Sequence, residues 1–76
     1  MNKIRRKAIQ ELKSRIEELM EELDSLKDAE EEYRDNIPEN LQGSERYEKA
    51  ENAVDNLESA YYSLEEVISY LEEATE

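Results

Sequence analysis

The stretch from Glu45 to Ala74, ERYEKAENAVDNLESAYYSLEEVISYLEEA, contains the most regular apolar pattern in the chain. Apolar residues recur there in alternating steps of three and four, at Tyr47, Ala50, Val54, Leu57, Tyr61, Leu64, Ile68 and Leu71. This spacing predicts an α-helix with one continuous apolar face. A second row beside that face has sevenfold spacing and consists of Ala53, Ala60, Val67 and Ala74. A single partner helix needs only the first row, so we expect this helix to contact more than one neighbour.

A second amphipathic segment precedes this one and predicts another long helix. Its apolar heptad has Ile9, Ile16 and Leu23 at the a positions, and Leu12, Leu19, Leu26 and Tyr33 at the d positions. Pro38 disfavours helical geometry at the residue before it, and Ser44 is a favourable N-cap for the second helix. We therefore predict an all-α chain with a single domain over residues 1–76. Helix 1 covers about 3–35, a loop about 36–44, and helix 2 about 45–74.

The short loop predicts that the two helices lie antiparallel as a coiled-coil-like hairpin. The apolar rows match when paired residue numbers add to about 80, from Tyr33 opposite Tyr47 to Ile9 opposite Leu71. In this register Ile37 and Leu41 cover the open end, and Tyr33, Tyr47 and Tyr61 belong to the core. Three ion pairs are also expected along the flanking e positions: Arg6 with Glu72, Lys13 with Glu65, and Lys27 with Glu51.

The opposite flank is small and largely apolar, which predicts self-association. Its residues are Ala8 and Ala29 on helix 1 with Ala53, Ala60, Val67 and Ala74 on helix 2. Two helices alone leave this flank in water, whereas a homodimer arranged as a four-helix bundle buries it. The alternatives are an isolated hairpin, another oligomer or a different partner chain, with the alanines serving only helix propensity.

Composition argues against catalysis and against a bound cofactor or metal. The chain of 76 residues has no cysteine and no histidine, so it can form no disulfide and lacks the commonest general base. Glu30 is the one acid within an apolar row, and we expect it to point outward rather than bind metal. We predict no catalytic, cofactor-binding or metal-binding residues. No segment has the length and apolarity of a membrane span, so we expect a soluble cytoplasmic protein.

Net charge is −12 and is distributed unevenly. Residues 1–15 have a net charge of +5, and the remainder has −17. We attribute the basic start to pairing with acidic residues at the end of helix 2, rather than to direct nucleic-acid binding. The acidic surface is expected to dock an unidentified protein partner; the alternative is that it mimics nucleic acid and inhibits a DNA- or RNA-binding protein. Candidate partner contacts are Tyr62, Tyr70, Glu66 and Glu73.

The loop and the start of helix 2 resemble a segment of short acidic helical proteins from Gram-positive bacteria, their phages and mobile elements. The matching residues are Pro38, Glu39, Leu41, Gln42, Ser44, Glu45, Arg46 and the run AVDNLESA from Ala53 to Ala60. The resemblance covers about a third of the chain and includes no catalytic motif. It implies a helical hairpin and an origin in such elements, which raises the expectation of an inhibitor, but it implies no specific activity.

Overall fold

The computed structural model describes residues 1–76 and contains helices and no strands. Helix α1 covers Lys3–Asp35 and helix α2 covers Glu45–Ala74, with one turn of 3₁₀ helix at Glu39–Leu41 between them. The two long helices pack against each other in an antiparallel hairpin that measures 59 by 15 by 12 Å. The all-α class and the two-helix packing are therefore confirmed. Neither helix has an apolar stretch long enough to cross a lipid bilayer.

Side-chain caps define where both helices begin. The backbone N–H of Arg5 donates to Oδ1 of Asn2 at 2.8 Å, and the backbone N–H of Tyr47 donates to Oγ of Ser44 at 3.3 Å. Each bond satisfies a backbone donor that has no partner within its own helix. The N-cap predicted at Ser44 is confirmed, and Glu45 and Glu48 add negative charge at the positive end of the α2 dipole.

The chain reverses direction through a hydrogen-bonded turn around Pro38. The N–H of Ile37 donates to the carbonyl of Arg34 at 3.1 Å, and the N–H of Leu41 donates to that of Pro38 at 2.8 Å. Ile37 is buried and closes the end of the helix pair, but Leu41 is 42% exposed. The prediction that both residues cover this end is correct for Ile37 and wrong for Leu41.

Few side chains are buried in the single hairpin: Met20, Ile37, Ala50 and Val54. The predicted contact row of α2 is confirmed, because its members from Tyr47 to Leu71 are all buried or half-buried. The core is thus a narrow line between two helices. Such a line leaves a large part of both helix surfaces open to solvent.

The contact face of α1 differs from the prediction. Residues at the a and e positions face α2: Ile9, Lys13, Ile16, Met20, Leu23 and Lys27 are half-buried or buried. The d residues are exposed instead, with Leu12 at 39%, Leu19 at 56%, Leu26 at 62% and Tyr33 at 43%. On an ideal helix this is a rotation of about 50° from the predicted face. It places Met20 in the core and packs the aliphatic stems of Lys13 and Lys27 along α2, while their ammonium groups reach carboxylates.

The same rotation rearranges the predicted ion pairs. Lys13 Nζ lies 3.1 Å from Glu72 Oε1 rather than near Glu65. Lys27 Nζ contacts Asp24 and Asp28 on its own helix, at 3.8 and 3.6 Å, rather than Glu51. Arg6 forms no ion pair with Glu72; its Nε donates to the carbonyl of Thr75 at 3.1 Å. The prediction of three pairs along the e positions is therefore wrong, because those residues point toward the helix contact instead of flanking it.

The predicted register agrees with the contacts at both ends of the hairpin. Arg6 meets Thr75 at the terminal end, and Arg46 Nε donates to Tyr33 Oη at 2.6 Å at the loop end. The residue numbers of each pair add to about 80, as the register requires. The helices are thus rotated relative to the prediction but not displaced along their length.

Candidate interaction surfaces

The exposed leucines of α1 and the small residues of α2 form one apolar surface. We call it the apolar strip and define it as Leu12, Leu19 and Leu26 of α1 with Ala53, Ala60, Val67 and Ala74 of α2. Ala8 and Ala29, which the sequence pattern assigns to self-association, lie along its α1 edge and are exposed. Of the α2 members, Ala60, Val67 and Ala74 are exposed and Ala53 is half-buried. The heptad pattern predicts the small residues on this flank but assigns the leucines to the core.

Helix geometry places both halves of the strip on the same side of the hairpin. At 100° per residue, the leucine row lies about 80° around α1 from the middle of its contact face, and the alanine row about 90° around α2. Viewed from the N-terminus of each helix, both rows are rotated in the same direction from the contact face. Because the two helices are antiparallel, the leucine row and the alanine row therefore lie on the same side of the hairpin. The opposite side of α2 presents Glu51, Glu58, Glu65 and Glu72, so the apolar surface is confined to a single face.

The exposed area of the chain is large for its size. The solvent-accessible surface is 5863 Å² for a mass of 9.0 kDa. A compact monomer of this mass exposes about 4,850 Å², so the excess is about 1,000 Å². The radius of gyration, 17.4 Å, likewise exceeds the value of about 11 Å for a compact domain of this length. An elongated hairpin accounts for the excess, and the apolar strip is part of it.

The predicted partner residues form a separate surface on the outer face of α2. Tyr62, Glu66, Tyr70 and Glu73 follow one another at helical spacing and are all exposed. The Tyr62 ring packs edge-on against the ring of Tyr61, with centroids 5.9 Å apart and an interplanar angle of 87°. Tyr61 is half-buried, so this contact anchors an exposed aromatic ring to the hairpin. The structure brings these four residues together on one face.

A shallow depression of about 380 Å³ lies near the loop and is lined by Glu30, Tyr33, Arg46, Lys49 and Ala50. The Arg46 guanidinium lies 5.2 Å from the centre of the Tyr33 ring and also donates to its hydroxyl. Tyr33 therefore stays at the surface, and its predicted place in the core is wrong. Glu30 is half-buried at the rim. No three acidic side chains converge in a geometry that could hold a metal ion.

Charge–charge contacts in α1 perturb two basic groups. Desolvation lowers the pKa of Lys27, but the carboxylates of Glu31, Asp28 and Asp24 outweigh it and hold this pKa above its ordinary value. The hydrogen bond from Arg34 to Asp35, 3.1 Å long, raises the pKa of Arg34 despite an opposing desolvation contribution. Both groups keep their positive charge at neutral pH.

The basic start of α1 is less neutralised than predicted. One ion pair joins this basic segment to the acidic end of α2, between Lys13 and Glu72, in place of the predicted pair of Lys13 with Glu65. Lys3, Arg5 and Lys7 are exposed and make no ion pair within the hairpin. The attribution of the basic segment to pairing with acidic residues of α2 is therefore correct for Lys13 and wrong for Lys3, Arg5 and Lys7.

Comparisons of the chain with protein-family models, with curated proteins and with solved structures give no match. Functional inference therefore depends on the surfaces of the hairpin itself. The surface that sequence reasoning missed is the leucine row of α1. The signal that could have revealed it is Met20, the one apolar residue of an otherwise basic e row, which extends the apolar surface at the middle of α1 beyond the a and d rows.

Proposed function

We propose that this protein is a small, acidic, non-enzymatic interaction module that self-associates through the apolar strip and docks a protein partner on its outer face. The observation that carries the proposal is the strip itself. A chain with 42% charged residues keeps Leu12, Leu19 and Leu26 exposed on one side only. Concentrating apolar side chains on one face of a charged surface is characteristic of protein–protein contacts.

The absence of a concave reactive site supports an interaction role over catalysis. General acids and bases need a partly dry pocket that shifts their pKa values. The only depression is shallow and open, and its Arg46 and Tyr33 are already hydrogen-bonded to each other. The acidic residues lie mostly on outward helix faces, where they solvate the hairpin and offer charge to a basic partner.

The outer face of α2 is the proposed docking site for the protein partner. Tyr62 and Tyr70 are 58% and 63% exposed, and Glu66 and Glu73 lie beside them. Exposed tyrosines next to carboxylates suit a partner surface that combines apolar and basic groups. Because this face is separate from most of the apolar strip, partner docking and self-association can occur together.

Affinity capture with paired variants tests the docking site. The bait is the whole chain, presented to a bacterial lysate at physiological salt, with the double variant Tyr62→Ala/Tyr70→Ala and the control Ile4→Ala, which truncates an exposed apolar residue on α1. We expect one captured protein in an amount equal to that of the bait. The wild type and the control should retain it, and the double variant should not. Equal capture by all three baits would refute docking through these tyrosines.

A second candidate function is inhibition of a nucleic-acid-binding protein by charge mimicry. It is favoured by the shape and charge of the molecule, because a rod 59 Å long carries 22 acidic against 10 basic residues. Duplex DNA should then compete with the protein for its target, and the competition should weaken at high salt. Glu66→Gln and Glu73→Gln should weaken target binding if mimicry is the function. Target binding that neither duplex DNA nor these substitutions weaken would refute charge mimicry.

A further inference from the structure

We propose that the apolar strip binds a second copy of the chain in antiparallel orientation, so that α1 lies on the partner's α1 and α2 on the partner's α2. The two loops then lie at opposite ends of a four-helix bundle, and the two-fold axis passes beside Leu19 and Ala60. This inference rests on the self-association in the proposed function and adds its geometry. Four independent features of the chain support this arrangement.

The first feature is the angle between the two apolar surfaces of each helix. In a four-helix bundle with a square cross-section, each helix contacts two neighbours in directions about 90° apart. The leucine row of α1 and the alanine row of α2 lie about 80° and 90° from the contact between α1 and α2. Each hairpin therefore presents a flat face to a second hairpin. A single added helix would leave part of this face uncovered.

The second feature is the position of the strip along the hairpin. Leu19 is the middle residue of Lys3–Asp35, and Ala60 lies at the middle of Glu45–Ala74. In the antiparallel arrangement Leu19 packs on the partner's Leu19, and Leu12 on the partner's Leu26. Ala60 packs on the partner's Ala60, with Val67 against the partner's Ala53. The leucine row of α1 and the alanine row of α2 thus place the two-fold axis at the same level of the hairpin, each independently of the other. With the axis there, the two hairpins overlap along their whole length.

The third feature is a charge pattern that complements itself only in this orientation. Beside the leucines, α1 carries the row Ala8, Arg15, Glu22 and Ala29. The two-fold axis beside Leu19 brings the same row of the partner alongside in the opposite direction. Arg15 then lies beside the partner's Glu22, Glu22 lies beside the partner's Arg15, and Ala8 and Ala29 of the two chains meet at both ends of the row. Neither Arg15 nor Glu22 forms an ion pair within the hairpin, so both are available.

The alternative two-fold arrangement, with both loops at the same end, lacks this match. It places α1 against the partner's α2, so the leucine row faces Ala53, Ala60 and Val67, and Arg15 and Glu22 lie at the edge of that contact. Neither charge has an opposite charge there, and partial burial of unpaired charges is unfavourable. Charge complementarity therefore favours the antiparallel arrangement.

The fourth feature is the area available. The hairpin measures 59 by 15 Å in its two longest dimensions, so a face of that size has a projected area of about 890 Å² (59 × 15). This area is comparable to the roughly 800 Å² that each partner buries in a standard stable interface. The face that includes the apolar strip is therefore large enough for a stable dimer of identical chains.

Distance measurement between two spin labels tests the orientation directly. The chain has no cysteine, and a Cβ at Gly43 would meet no atom within 4 Å, so Gly43→Cys gives one label per chain at the loop. We expect a distance comparable to the 59 Å length of the hairpin. A distance below about 30 Å, twice the 15 Å width, would overturn the antiparallel arrangement while leaving self-association intact. A monomeric protein would overturn both.

A charge exchange tests the crossed ion pairs. Arg15→Glu should raise the dimer Kd roughly three- to tenfold, because it places two carboxylates together at two symmetric sites. Adding Glu22→Arg to the same chain should restore the wild-type Kd. Arg15 and Glu22 are about 10 Å apart along one helix, so no contact within the chain explains such a rescue. A double variant as weak as Arg15→Glu alone would refute the proposed pairing.

Discussion

Truncation of Leu19 to alanine measures how much the apolar strip contributes to self-association. Leu19 is 56% exposed in the single hairpin, so about half of its side chain remains for a second copy to cover. Complete burial of a leucine contributes about 1.5–3 kcal/mol, and burial of that half about 0.8–1.5 kcal/mol per chain. A symmetric dimer contains the residue twice. The variant should lose about 1.6–3 kcal/mol of association free energy, a rise in Kd of roughly 15- to 140-fold.

Sedimentation equilibrium over a wide range of chain concentration gives the Kd of each variant. Tyr62→Ala is the matched control, because Tyr62 is 58% exposed and points away from the strip. Its Kd should stay close to that of the wild type. Alanine is the best helix former, so the circular dichroism of Leu19→Ala at concentrations where both proteins are dimeric should show no loss of helix. Equal Kd values for the two variants would refute the argument that Leu19 lies in an interface.

Three further predictions concern the hairpin itself. Ser44→Ala should lower the free energy of unfolding by about 1 kcal/mol in urea denaturation, because the N–H of Tyr47 loses its acceptor. The control Ser59→Ala, on an exposed part of α2, should leave this free energy unchanged. Equal effects of the two substitutions would contradict the N-cap at Ser44. Met20→Ala should cost about 2 kcal/mol or more, since Met20 is buried between the helices, and a cost below about 0.5 kcal/mol would contradict the rotated contact face. The pKa of Lys27 is raised, so its stabilising contribution is complete below pH 10.5 and is lost as the pH rises through the raised value. The stability difference between wild type and Lys27→Met should therefore shrink only in that alkaline range, and a difference that shrinks between about pH 6 and 9 would contradict this assignment.

Local rules were sufficient to predict the helices and the direction in which they pair. Pro38 and Ser44 fix where α1 ends and α2 begins, because each restricts the backbone within one or two residues. The loop between Asn36 and Ser44 is too short for anything but an antiparallel hairpin. The apolar row of α2 determined its own contact face, because no second large apolar row competes with it.

The rotation of α1 could not be predicted by the same rules. Ile9, Ile16 and Leu23 belong to both possible contact faces, and the choice between the leucine row and the Met20 row depends on packing against α2. A binary apolar pattern counts Lys13 and Lys27 as polar, although their stems pack in the helix contact with 23% and 21% of the side chain exposed. Because the same pattern assigns the leucines of α1 to the core, it did not predict that they form part of the apolar strip.

The mass of the wild-type chain in solution decides whether the apolar strip binds a second copy, and light scattering coupled to size exclusion measures it across a range of concentration. We expect about 18 kDa, twice the chain mass of 9.0 kDa. Ala60→Glu places a charge beside the proposed axis and should return the mass to that of one chain, whereas Ser59→Glu adds the same charge outside the strip and should leave the dimer intact. A folded wild-type chain that stays at 9.0 kDa at the highest concentration would contradict self-association through the strip.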